Sequence, residues 1–339
     1  MKERISWIDY GKCVCMLMVI LSHTYTYYTG RGNLFLDLML PTRLVVFFFI
    51  SGYLTKIETF DFKKMMKSIF QKLLFPYFVF TTIIWIPKHL ASGSPIGLSY
   101  AFMDIFGGYA SWFVAALAVS KISLALILKF TKSIKIIWII SFILFGCGLA
   151  MANMIDSRIP WSAQNGFISM FYLALGMTYR KYEKHLSKNL RLQALIAFIS
   201  YAVFVCLDYF YLNQSTYIFR LKYHEVSLVG VATFIFLSIL GIWLTISIVK
   251  LLPTNIRWMT YIGKNSLTYY YLNTGVLTVF CLILKQYHLS YSGNNIITVL
   301  LYIITIFTLT IASELILQYA PWMTGNFNRK KGNILSTHK

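Results

Sequence analysis

Charged residues are scarce in this 339-residue sequence, and acidic residues are the scarcest of them. Asp and Glu together number only 11, and all charged residues make up 12% of the chain, which is about half the share found in an ordinary soluble domain. The seven prolines and 19 glycines form no linker-rich or low-complexity tract. These shortages exclude a soluble globular domain of ordinary composition.

Cysteine is also sparse, and its pattern excludes two further classes of site. The five cysteines are odd in number, lie inside apolar runs and have neither the spacing of a disulfide framework nor that of a zinc site. We therefore expect small core residues, and no metal. Histidines outside the first apolar run are expected in loops or in the tail, without metal-ligand spacing: His89, His185, His224, His288 and His338.

Hydrophobic residues, by contrast, make up 58% of the chain, and the net charge is +20. The basic residues occur in short clusters between long apolar runs and form no continuous stripe, so we expect no nucleic-acid partner. Lys and Arg retained on the cytoplasmic side fix the orientation of membrane proteins. The distribution indicates a multi-pass protein surrounded by membrane lipids.

Apolar runs long enough to cross a bilayer, which requires about 20 residues, predict an all-α bundle with about ten transmembrane helices. With both termini in the cytoplasm, 23 of the 31 Lys and Arg residues fall on the cytoplasmic side, as expected for the correct topology. We predict one transmembrane domain over 1–325 and a basic cytoplasmic tail over 326–339, with any active site built from helices and short loops. The predicted segments are 10–29, 38–56, 70–88, 111–130, 134–153, 164–180, 191–212, 226–250, 266–285 and 296–320.

The first segment carries the best candidates for chemistry, Lys12 and His23. They are eleven positions apart, which places both on one helix face about 16 Å apart along the axis. Asp9 lies three residues before Lys12 and can pair with it. Ionisable groups at membrane depth usually face the bundle interior or a cavity. Two simpler interpretations remain open, namely a structural His23 bonded between helices and a Lys12 that only anchors the helix at the membrane surface.

The segment Trp7-Ile8-Asp9, followed by Lys12 and His23, resembles the N-terminal signature of acyltransferase family 3, membrane proteins that transfer acyl groups to extracytoplasmic glycans. Four further segments are similar to family motifs in the same order along the chain. They are FFFISGYL with Ser51 and Gly52, the run from Lys72 to Pro76 and Tyr77, SWFVAAL with Trp112 and Phe113, and IGKNSLTYYYL near 262–272.

The resemblance implies that acetyl-coenzyme A is the acyl donor, held on the cytoplasmic side of a bacterial cytoplasmic membrane. The acceptor is expected to be a hydroxyl of a surface polysaccharide or lipid-linked glycan. His23 then serves as general base or as an acylated relay, two mechanisms that the sequence does not separate, and Lys12 and Asp9 complete the catalytic group. The donor is expected to be held by Arg4, Lys67, Lys72, Ser51 and Trp112. The acceptor is expected to be held by Asn273, Asn265 and Glu314.

The chain departs from the family pattern at two places. Asn273 stands where the late motif commonly ends in a histidine, and lysines replace the arginines before the third segment, which removes the bidentate contact that a guanidinium gives to phosphate. A polysaccharide or small-molecule exporter without chemistry is the alternative function, although the sequence shows no internal repeat of the kind common in transporters. The acceptor sugar, the acyl chain and the oligomeric state are left open.

Overall fold

The computed structural model describes residues 5–29, 41–92, 96–212, 219, 227–287 and 295–327, and these are helical or irregular, with no strand among them. The predicted all-α fold is therefore confirmed. Single 3-10 or π turns extend several helices, for example at Phe70–Leu74 and Pro160–Ser162. The helices are α1 (Ser6–Thr29), α2 (Val45–Tyr53), α3 (Phe62–Ile69), α4 (Phe75–Ser92), α5 (Leu98–Phe106), α6 (Trp112–Phe130), α7 (Ile134–Met154), α8 (Ala163–Leu186), α9 (Leu190–Leu207), α10 (Leu228–Leu251), α11 (Arg257–Lys264), α12 (Ser266–Gln286) and α13 (Asn295–Tyr319).

Each of the ten predicted segments overlaps a helix of the structure, and seven of the helical stretches are long and apolar enough to cross a membrane. The chain is thus a multi-pass integral membrane protein. The other three predicted segments coincide with α1, α2 and α8. The apolar helix that contains α2 spans only Pro41–Tyr53, and α1 and α8 carry charged side chains among their 24 residues. The count of ten crossings and the cytoplasmic position of both termini stay predictions.

The helices divide into a buried centre and an apolar periphery. On α1, the side chains of Tyr10, Cys13 and Met16 are fully buried, and this helix packs against α11, α12 and α13. In α7 and α9, by contrast, large apolar side chains such as Phe142 and Phe198 are exposed. Lipid is the solvent that such faces require. The polar helix α1 therefore lies inside the bundle, where its ionisable residues can reach internal cavities.

The crossing of α2 and α8 explains one residue of the second family-like motif. A methyl group at Gly52 would lie 2.0 Å from the carbonyl oxygen of Leu173, a distance that no side chain tolerates. Small residues allow membrane helices to approach closely and gain van der Waals contact. The glycine of this motif therefore serves packing, and the neighbouring Ser51 is left partly exposed.

A polar cluster holds α1, α8 and α10 together at one end of the bundle. The Lys250 ammonium donates to Glu183 Oε1 at 2.7 Å, to Tyr179 Oη at 2.8 Å and to Ser187 Oγ at 2.7 Å. It also lies 5.1 Å from the centre of the Trp7 ring, within cation–π range. Trp7 of the first motif is thereby fixed, and with it the start of α1.

Short helices also lie outside the predicted segments. The stretch before the third segment forms α3, whose N-terminus is capped by Asp61 accepting from the Lys64 amide at 3.0 Å. The lysines of that stretch are exposed on a helix and do not lie in a loop. Arg4 and most of the predicted tail 326–339 lie outside the described residues, so the tail and the boundary at 325 stay predictions.

Candidate active site

A cavity of about 740 Å³, termed the His23 cavity, lies between α1, α4, α6, α12 and the segment that precedes α8. Its lining includes His23, Trp112 and Tyr270. Its rim carries Lys88 and Arg158, which are exposed. The volume falls in the range of sites that hold small molecules or a few sugar units.

His23 is held by a partner 250 residues further along the chain. The Asn273 side-chain amide approaches His23 Nδ1 at 2.8 Å, and Asn273 is fully buried. If the amide nitrogen donates, Nδ1 accepts and the ring proton of the neutral imidazole lies on Nε2. If the amide is turned by 180°, its oxygen accepts from Nδ1–H and Nε2 is left with the lone pair that a base requires. Either way, Asn273 fixes the orientation of the imidazole ring.

One wall of this cavity consists of two turns that are bonded to each other. The Trp161 amide donates to Gly107 O at 2.6 Å, and the Tyr109 hydroxyl donates to Arg158 O at 2.9 Å. Gly108 has φ +82° and its Cα faces the Trp161 backbone, where an added methyl would lie 2.7 Å from Trp161 Cα. Only glycine satisfies both the left-handed backbone and this close approach. The paired turns keep Arg158 at the rim.

A second histidine lies on the same cavity, beside an aspartate. His89 Nε2 lies 3.5 Å from Asp104 Oδ2, and His89 Nδ1 lies 3.0 Å from Trp85 O. Because a carbonyl oxygen only accepts, Nδ1 carries a proton there. The same Asp104 oxygen accepts from Trp85 Nε1 at 2.9 Å. Both nitrogens of His89 thus face acceptor oxygens, one of Trp85 and one of Asp104.

A narrower cavity of about 180 Å³, termed the Lys12 cavity, lies nearer the start of α1. Lys12 and Lys121 line it together with Ser51 and Ser266, and the rest of its wall is apolar. Lys12 and Lys72 are both close enough to Lys121 to interact with it electrostatically. Two lysines therefore line this cavity, and a third, Lys72, lies near enough to Lys121 to add to the positive charge.

Tyr270 lines both cavities. Its hydroxyl accepts from Ser111 Oγ at 3.4 Å, and its ring packs against Phe113 at a centroid distance of 5.3 Å. The two cavities, with His23 on one and Lys12 on the other, therefore have this side chain in common.

Comparison with known proteins decides the family. The acyltransferase family 3 profile, described as an acyltransferase domain, matches residues 5–315. The chain belongs to acyltransferase family 3. No curated protein and no solved structure matches the chain. The family assignment confirms the resemblance seen in the sequence and makes this chain a membrane acyltransferase.

The acyltransferase fold brings several of the predicted site residues to the two cavities. His23 and Trp112 line the His23 cavity, whereas Lys12 and Ser51 line the Lys12 cavity. Trp112, predicted to hold the donor, thus lies on the His23 side of Tyr270. Asn273 contacts His23 directly.

Other predicted residues lie apart from both cavities. Asp9 is buried on α1, Lys67 is exposed on α3, and Glu314 is exposed on α13. Asn265 Nδ2 donates to Tyr261 O at 3.0 Å and caps the end of α11. None of these four lines either cavity, and their roles stay predictions.

Sequence reasoning missed Lys121, Tyr270, His89 and Asp104. Lys121 carried a usable signal, since a lysine inside an apolar run is costly unless it faces a cavity. The expectation that His89 lies in a loop was wrong, because α4 continues through Pro87 to Ser92. His185 likewise lies on a helix, α8. Within the described residues, no three His, Cys, Asp or Glu side chains form a group able to hold a metal.

Proposed function

We propose that this acyltransferase moves acetyl groups from cytoplasmic acetyl-coenzyme A to a hydroxyl of a surface or lipid-linked polysaccharide in a bacterial cytoplasmic membrane. The observation that carries the proposal is the pair of cavities, with Lys12 on one, His23 on the other and Tyr270 on both. Because α1 supplies both residues, about 16 Å apart along its axis, the pair defines a direction across the membrane.

The Lys12 cavity is the proposed path of the donor. Coenzyme A carries phosphates. Lys12 and Lys121 offer positive charge in that cavity, and Lys72 lies near enough to Lys121 to add to it. A volume of about 180 Å³ lies below the range of sites that enclose a whole nucleotide ligand. We expect the nucleotide to stay at the basic end, while the thin pantetheine arm passes Tyr270 with its thioester.

The His23 cavity is the proposed place of acyl transfer. His23 Nε2 takes the proton from the acceptor hydroxyl as the hydroxyl oxygen forms its bond to the acetyl carbonyl carbon. The carbon–sulfur bond then breaks, and the proton passes from His23 to the departing coenzyme A sulfur. This role requires the Asn273 orientation in which Oδ1 accepts from His23 Nδ1–H. The Tyr270 hydroxyl, which accepts from Ser111 Oγ at 3.4 Å and keeps its own proton, is the proposed donor to the developing oxyanion, because Tyr270 lines both cavities.

The test uses the full-length protein in proteoliposomes with acetyl-labelled acetyl-coenzyme A supplied on one side and de-O-acetylated host polysaccharide on the other. Base-labile label on the polysaccharide is the expected result. NMR of the host polysaccharide with and without the gene checks the same reaction in cells. Passage of polysaccharide across the membrane without any labelled product would contradict the proposal and favour the exporter.

A further inference from the structure

The rim of the His23 cavity carries more positive charge than its carboxylate can balance. Lys88, Arg158 and Asp104 all line the cavity. Asp104 already accepts from Trp85 Nε1 at 2.9 Å and faces His89 Nε2 at 3.5 Å. Among the described residues, no carboxylate lies within 4 Å of the Lys88 ammonium or the Arg158 guanidinium. Two permanent cations therefore line the cavity, and neither forms an ion pair with a carboxylate of the described residues.

These cations come from elements that the fold holds in place. Arg158 belongs to the turn that accepts from the Tyr109 hydroxyl at 2.9 Å. Lys88 lies on α4 between Pro87 and His89, where stacking of His89 on Trp85, with a centroid distance of 4.0 Å, fixes the local helix. Two cations from two separate elements thus line one cavity.

Resting on the proposed function, we infer that the acceptor is an acidic glycan, whose carboxylate or phosphate binds Lys88 and Arg158 while a neighbouring hydroxyl reaches His23. A guanidinium and an ammonium pair favourably with either anion. The aromatic and polar lining beside them, with Trp112 and Gln164, suits the sugar ring. The cations select an acceptor by its charge, and the imidazole acts on its hydroxyl.

The experiment compares acceptors that differ only in charge. De-O-acetylated host polysaccharide is offered intact, after chemical reduction of its carboxyl groups, and after enzymatic removal of its phosphates. We expect one of the two treatments to raise the acceptor KM roughly tenfold or more, as loss of a charge-assisted contact does. Carboxyl reduction and phosphate removal thereby identify the source of the anion. Equal rates on all three acceptors would overturn the inference while leaving the proposed acetyl transfer intact.

A variant pair tests the residues themselves. The double variant Lys88→Gln with Arg158→Gln is expected to lose the preference for the acidic acceptor, and its KM should depend less on salt, because screening acts on the removed charges. Lys285→Gln is the matched control, since Lys285 is exposed at the end of α12 and lines neither cavity. An unchanged preference in the double variant would contradict the assignment and would favour contacts of these cations with lipid head groups.

Binding without turnover separates this inference from the proposed function. Glucuronate, inorganic phosphate and glucose are titrated against the full-length protein while tryptophan fluorescence is recorded, because Trp85 and Trp112 line the cavity. Saturable quenching by glucuronate or phosphate that is lost in the double variant supports the charged rim, even if no polysaccharide is acetylated. Equal responses to glucose and to both anions would overturn it.

Discussion

The two cavities of this protein share α1, α6 and α12 as walls, yet they differ in size and chemistry. The Lys12 cavity holds about 180 Å³ and has an apolar wall interrupted by lysines and serines. The His23 cavity holds about 740 Å³ and combines two histidines, exposed cations and aromatic rings. One is suited to a thin chain with a charged head outside it, and the other to a polar ring with several hydroxyls.

This difference explains how, in the proposed reaction, a single helix with two ionisable residues can serve both the donor and the acceptor. Lys12 and His23 line different cavities, and Tyr270 lines both. The difference predicts that substitutions in the Lys12 cavity change the KM for acetyl-coenzyme A, whereas substitution of His23 in the larger cavity changes kcat. Substitutions that separate these effects test the comparison directly.

The largest effect is expected from His23→Ala. Loss of a general base typically costs 10²- to 10⁴-fold, so we expect kcat for acetyl transfer to fall at least about 100-fold. The measurement is transfer of label in proteoliposomes, with insertion checked by the amount of protein recovered in the membrane fraction.

The matched control for that variant is His185→Ala. His185 is exposed at the end of α8 and lines neither cavity, so its loss should leave the rate near the wild-type value. Full activity in the His23 variant would mean that acetyl transfer does not take place in the larger cavity.

An intermediate effect is expected from Lys12→Ala and from Lys121→Ala. Each removes one cation from the narrow cavity, and a charge-assisted contact to phosphate contributes about 1.5–3 kcal/mol. We expect the KM for acetyl-coenzyme A to rise roughly tenfold in each variant, with a smaller effect on the KM for the acceptor.

Lys264→Ala provides the comparison for the lysine variants, because Lys264 is exposed on α11 and outside both cavities. It should change neither KM. If the lysine variants raised only the KM for the acceptor, the assignment of donor and acceptor to the two cavities would have to be exchanged.

Apolar length predicted the fold well because lipid-facing helices such as α7 and α9 must expose long apolar faces. The same criterion overlooked α3, α5 and α11. These are short, at eight or nine residues, and α3 and α11 combine charged with apolar residues, so a window of about 20 residues does not detect them. The criterion also leaves the number of crossings unsettled, because α2 is short and because α1 and α8 carry charged residues.

The site was predictable only where the signal was local. Lys12 and His23 share one helix face, so their spacing alone connected them. Asn273 is 250 residues away from His23, and no local sequence pattern predicts their contact. His89 was missed because the predicted third segment ended at 88, whereas α4 continues through Pro87 to Ser92.

The smallest of the three effects is expected from substitution of Asn273. It tests which nitrogen of His23 takes the proton in the larger cavity. A neutral hydrogen bond contributes about 0.5–1.5 kcal/mol, so Asn273→Ala should lower kcat up to about tenfold by releasing the ring, with the KM for acetyl-coenzyme A little changed. Asn273→Asp distinguishes the two orientations, because a carboxylate only accepts and so fixes the proton on Nδ1. If His23 Nε2 is the base, the Asp variant retains more activity than the Ala variant in the labelled-transfer assay. An Asp variant less active than the Ala variant would instead assign the proton to Nε2, and His23 would then act in the larger cavity as a donor to the oxyanion.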